Sequence, residues 1–154
     1  MNKDTVSGDI IDLKLRQMHA SKITYVNSNM YIVDFKLKSG ILVSYVFNIT
    51  KGDKYFLQRM RPYAMVQGKY ADTREIVHFI KKDLEKFRNA EKSSNFEEFV
   101  DVSKKGLDLA AAVEDLFLNH NVPKEELDSI NTDLDCLLGR VRSVSEQSEE
   151  IILK

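Results

Sequence analysis

Between residues 51 and 74, cations and aromatics interleave. Lys51, Lys54, Arg59, Arg61, Lys69 and Arg74 stand among Tyr55, Phe56, Tyr63 and Tyr70, opposed only by Asp53 and Asp72. Cations attract phosphates and exposed aromatic faces stack on bases, so this mixture has the chemistry of a single-stranded nucleic-acid surface. Lys54, Tyr55, Arg59, Arg61, Tyr63, Lys69 and Arg74 would carry such binding. The same residue types equally suit a strand, with Tyr55 and Phe56 in a core and Arg59 and Arg61 on its solvated face.

Reactive groups elsewhere do not assemble into a recognisable constellation. His19, His78 and His120 lie in separate segments and lack metal-ligand spacing such as an i,i+4 pair. The one cysteine, Cys136, can form neither an internal disulfide nor a multi-thiolate site, and beside Leu137 it reads as a buried structural thiol. Glu97-Glu98 and Glu125-Glu126 begin helical patterns, where the helix dipole favours negative charge without any catalytic role. Lys51-Gly52-Asp53 has the character of a hairpin turn rather than a phosphate cradle. The expectation is no metal, no cofactor and no enzymatic activity. A small enzyme whose residues converge only in the fold stays as an alternative of another class.

Such residues need elements to hold them. The chain has 154 residues, 43% hydrophobic and 31% charged, with two prolines and no tryptophan. That suits one domain or two small elements sharing a core, and it is too apolar for a disordered chain. No stretch approaches the roughly 20 apolar residues of a membrane span, and the N-terminus carries no apolar signal core. These features lead us to expect a soluble, cytoplasmic protein without membrane association. The net charge of −1 conceals an asymmetry: residues 1–92 carry 17 Lys and Arg against 10 Asp and Glu, while residues 93–154 carry 6 against 14. A basic front and an acidic back can attract a polyanion, or each other within or between chains.

The basic part, 1–92, reads as α+β. Ile23–Val26, Met30–Leu37 and Ile41–Thr50 alternate apolar and polar residues as half-buried strands do, and a fourth strand is expected from Lys54 to about Met60. The short connections Asn27-Ser28-Asn29, Lys38-Ser39-Gly40 and Lys51-Gly52-Asp53 imply an antiparallel β-meander of three to four strands. A helix covers it. Asp72 with Glu75 resembles a capping box, with Thr73 as rival cap, and Ile76, Ile80, Leu84 and Phe87 form one apolar stripe. Residues 9–19 fit a helix through Ile11, Leu15 and Met18 better than a strand.

The acidic part, 93–154, reads as a long C-terminal α-helical hairpin. Ser94 or Asn95 caps its first helix, in which Phe99, Val102, Gly106, Leu109, Val113 and Leu116 recur at spacings of three and four. Pro123 opens the second. Leu127, Ile130, Leu134, Leu137, Val141, Val144, Ser148 and Ile151 then follow the same alternation without a slip. A small domain does not easily bury so long a seam alone, and the surplus most simply packs on a second chain. The reading is therefore a non-enzymatic interaction protein, a homodimer in preference to a larger assembly. Its interface is Leu127, Ile130, Leu134, Leu137, Val141, Val144 and Ile151, with a protein partner on the sheet side. The alternative is a single-stranded nucleic-acid binder using residues 51–74.

Overall fold

A computed structural model describes residues 6–24, 26–50, 55–70 and 72–149. The fold is α+β. In chain order the elements are α1 (Val6–Gln17), β1 (Ser28–Lys36), β2 (Leu42–Thr50), β3 (Tyr55–Arg61), β4 (Met65–Tyr70), α2 (Thr73–Ala90), α3 (Phe96–Asn119) and α4 (Lys124–Gln147). Two compact units divide between Leu84 and Glu85, inside α2 and ahead of the charge boundary at residue 92.

In the first unit the strands form one antiparallel sheet in the order β1-β2-β3-β4. Gly40, at φ +89°, closes the first hairpin, and its N–H donates to the Leu37 carbonyl at 3.0 Å. The left-handed region is cheap for glycine because it has no Cβ. Two findings correct the strand expectations. Ile23, Thr24 and Val26 lie in no strand, while Tyr25 falls outside the described residues. Conversely, Met65–Tyr70 forms β4, which period-two alternation misses. The reason is a bulge: Leu57 pairs with Gly68 but Gln58 with Val66, so Gln67 is an extra residue that shifts the phase, and Gly68 takes φ +114°.

One sheet face carries the core. Val43, Tyr45 and Leu57 are the most deeply buried side chains, and Tyr55 is also buried. Directly opposed Tyr31 and Phe47 stack with ring centroids 4.9 Å apart, and Phe35 meets Tyr45 edge-on at 6.1 Å. Such cross-strand pairs fix the register by rewarding one alignment of the apolar face. The helix α2 covers this face, as the stripe predicts: Ile76, Leu84 and Phe87 are buried, and Phe79 packs its ring 5.8 Å from that of Tyr70. Asp72 is its cap, accepting from the Arg74 N–H at 2.7 Å. The helix reading of residues 9–19 also holds, although α1 begins earlier, at Val6. It ends in a Schellman turn with His19 at φ +62°, the His19 N–H donating to the Arg16 carbonyl and that of Ala20 to the Leu15 carbonyl.

The second unit holds α3 and α4, each of 24 residues. Asn95 precedes α3 as expected, but its side chain makes no capping bond. Instead its N–H donates to the Ser93 hydroxyl at 3.2 Å, so the expected side-chain cap by Asn95 is absent there. Pro123 sits one residue before α4, with φ −59° suited to helix entry. The helix stops at Gln147, where Ser148 turns extended, so the seam is helical through Val144 and Ile151 lies outside the described residues.

Candidate functional site

The most chemically distinctive cluster lies beneath α2. Asp83 stands on the apolar stripe of that helix, three residues after Ile80 and four before Phe87. Its carboxylate accepts from the Arg59 guanidinium at 2.8 and 3.0 Å and from the Tyr45 hydroxyl at 2.8 Å. Arg59 is 3% exposed, its guanidinium lying 4.6 Å above the Tyr63 ring and 3.6 Å from the Met65 sulfur. Burial first, and then the hydrogen bond to the Asp83 carboxylate, push the Tyr45 phenol far above its usual range. Burial also raises Tyr70, with the charge of Asp83 adding to it. These groups bond one another across the β2–β3–α2 contact. A closed ion pair of this kind holds a helix in register on a sheet and presents no free nucleophile or acid to a substrate.

The basic–aromatic stretch is taken apart by the same geometry. Tyr55 and Arg59 point into the core and offer nothing to a ligand. The bulge at Met60 turns the strand, so that Arg61 pairs opposite Ser44 while Arg59 pairs opposite Tyr45. Tyr63 is half-buried under Arg59, and Arg74 is engaged by Asp72 at 2.8 and 3.0 Å. Those bonds with Arg74 bring the Asp72 carboxyl down to about 2. Lys69 is exposed, its ammonium 5.3 Å from the Phe56 ring centre, and Lys54 lies outside the described residues. Arg61 and Lys69 remain on the open sheet face, roughly 16 Å apart along β3.

Part of that open face is apolar. Met30, Val46, Asn48, Phe56, Gln58 and Val66 line a shallow depression of about 340 Å³, and Ile32 stands exposed on the same face. The carbonyl oxygen of the Asn48 side chain is buried there without a hydrogen-bond partner. The sequence analysis expects a partner on the sheet side but does not name these residues, although a signal was present. Met30-Tyr31-Ile32-Val33 is an unbroken apolar run, which places apolar side chains on both faces of β1 rather than one.

The helical seam is a second apolar surface left open among the described residues. On α3 only Phe96 and Val100 are buried, and on α4 no described residue is. Near the turn, Val113, Leu116, Val122, Ile130 and Leu134 are half-buried. Away from it the shielding fades: Val102 on α3 is 66% exposed, and on α4 Leu137, Val141 and Val144 are 51%, 59% and 56% exposed. Leu127, at 41%, also belongs to the open part. A Cβ added at Gly106 or Gly139 would meet nothing within 4 Å. Cys136 is exposed and free rather than the buried thiol expected beside Leu137, because α4 buries no described side chain, and His78 and His120 face solvent.

The chain matches no protein-family model, no curated protein and no solved structure. Among the described residues no three His, Cys, Asp or Glu side chains gather as a metal site would require, and no helix is long and apolar enough to cross a membrane.

Proposed function

We propose that this chain is a non-enzymatic interaction protein that forms a homodimer through its C-terminal helices, with α4 as the principal contact. One observation carries the reading: α4 has six apolar seam positions between Leu127 and Val144 and buries none of them fully. An isolated helix is marginal in water, and helices in proteins draw most of their stability from packing an apolar face. A half-exposed Leu or Val still gains about 1 kcal/mol when a partner covers it. Repeated along α4 and doubled by two-fold symmetry, that gain offsets the cost of association. The regular three-four spacing supports a helical partner carrying the same repeat, which a second copy supplies.

The open sheet face, partly apolar with Lys69 at its edge, suits a protein partner that presents an acidic side chain beside apolar ones. The free, exposed Cys136 fits a reducing, cytoplasmic compartment. Nucleic-acid binding has less support, because Tyr55 and Arg59 are withdrawn from the surface it would use.

The test is light scattering of the purified full chain alongside the variant Leu137→Glu/Val141→Glu. Both positions are more than half exposed, so the variant keeps its fold. The wild type is expected as a dimer and the variant as a helical monomer. A wild type that is monomeric at tens of micromolar, or a variant that stays dimeric, overturns the reading.

A further inference from the structure

The seam of α4 also carries information about how two copies would align, an inference that rests on the self-association reading above. In heptad notation Leu127, Leu134 and Val141 are a positions, and Ile130, Leu137 and Val144 are d positions. In an antiparallel pair each a residue layers against a d residue. One register keeps all six positions in apolar layers. It sets Leu127 against the partner's Val144, Ile130 against the partner's Val141 and Leu134 against the partner's Leu137, with the reverse pairs following by symmetry. Each layer thereby joins a residue from the turn-proximal half of one α4 to one from the freer half of the other.

That register is fixed by apolar residues alone, and the charges beside it agree. The g positions include Asp133 and Arg140, both exposed and neither in an ion pair within its own chain, among the described residues. In the antiparallel register Asp133 faces the partner's Arg140, and Arg140 faces the partner's Asp133. A parallel pair loses this match, because g positions then meet e positions: Asp133 would face the partner's Leu138 and Arg140 the partner's Ser145. Closing α3 fully onto α4 within one chain is also less favourable. The layers that unite Leu116 with Leu127 and Val102 with Val141 bring Lys105 alongside Arg140, two like charges. We infer that two copies pair through antiparallel α4 helices about a two-fold axis near Asp135 and Cys136, with reciprocal Asp133–Arg140 ion pairs flanking the seam.

A charge swap in the full-length chain tests the pairing by sedimentation equilibrium. Asp133→Arg alone and Arg140→Asp alone each place like charges across the seam twice, and each should weaken dimerisation by about fivefold to tenfold. The double variant Asp133→Arg/Arg140→Asp restores opposite charges and should return to within about twofold of wild type. Single variants that weaken without rescue, or that do nothing, overturn the register while leaving the dimer intact. A wild type that does not dimerise removes the proposed function, and this inference with it. Spin labels at Lys124→Cys in a Cys136→Ser background give an independent reading. The antiparallel register separates the two labelled positions by 23 residues of helix rise, about 35 Å. A distance below about 20 Å identifies a parallel pair and overturns the proposal.

Discussion

The two units of this protein use their apolar residues in opposite ways. Up to Leu84, a four-stranded sheet and the start of α2 enclose Val43, Tyr45, Leu57, Ile76 and Leu84, and even an arginine is taken inside with its counter-ion. From Glu85 onward, two helices of 24 residues bury Phe96 and Val100 near the start of α3 and no described residue of α4. The difference is one of layers. A sheet face covered by a helix closes locally, because paired strands present a broad apolar surface that one helix can cover. A helix has a single apolar stripe, and a pair of helices leaves that stripe partly open unless more helices join. The sheet unit thus closes a core on one of its faces, and the helical unit leaves most of its apolar stripe open.

The comparison can be broken most forcefully at the Arg59–Asp83 pair. Asp83→Ala should destabilise the sheet unit by about 3–5 kcal/mol in urea unfolding, because it leaves a buried guanidinium uncompensated. Arg59→Met/Asp83→Leu should recover most of that loss. A small effect of Asp83→Ala would mean that the pair is not closed to water.

Next come two leucine truncations that ought to differ if the units do. Leu57→Ala should cost about 2–5 kcal/mol of unfolding free energy, because it opens a cavity in a packed core. Leu137→Ala, made where the side chain is half exposed, should scarcely alter unfolding of the monomer but weaken dimerisation. Equal costs measured in dilute, monomeric protein would erase the distinction between the units.

Tyr45 adds a dependence on pH. Its folded-state pKa is raised above the ordinary 10.0, chiefly by burial, so its contribution is intact below pH 10 and declines above it, as the unfolded chain releases the phenolic proton first. Tyr45→Phe should flatten this alkaline loss in part, with Tyr70 supplying what remains. An unchanged alkaline limb would contradict the burial of that hydroxyl. The smallest effect is expected at Gly139, where an added Cβ meets open space. Gly139→Ala should raise thermal stability by about 1 kcal/mol through helix propensity alone, and leave the dimer unchanged because this position lies on the outer side of the proposed pair.

Local periodicity made most elements legible. The alternation in Met30–Leu37 and Ile41–Thr50 gave β1 and β2 nearly to the residue, and the stripe from Ile76 to Phe87 gave the buried side of α2. It failed where an extra residue broke the phase, as at Gln67 in β4, and where Ile23, Thr24 and Val26 join no strand. The apolar seam positions of α4 were legible for the same reason as the strands: their spacing is a property of the helix itself. The fate of the basic–aromatic stretch was not. Nothing within a few residues of Arg59 reveals that it is buried, because its counter-ion lies 24 residues away on another element.

Element type, the apolar face of each element and the antiparallel order of the sheet were set by residues close in sequence, since steric preference and side-chain direction act over a turn of helix or two residues of strand. Tertiary packing decided which polar groups are enclosed and which apolar ones are left out. Asp83 became the hub of a buried cluster because α2 crosses β2 and β3 at that residue. The seam of α4 stayed open because its own unit has too few layers to cover it.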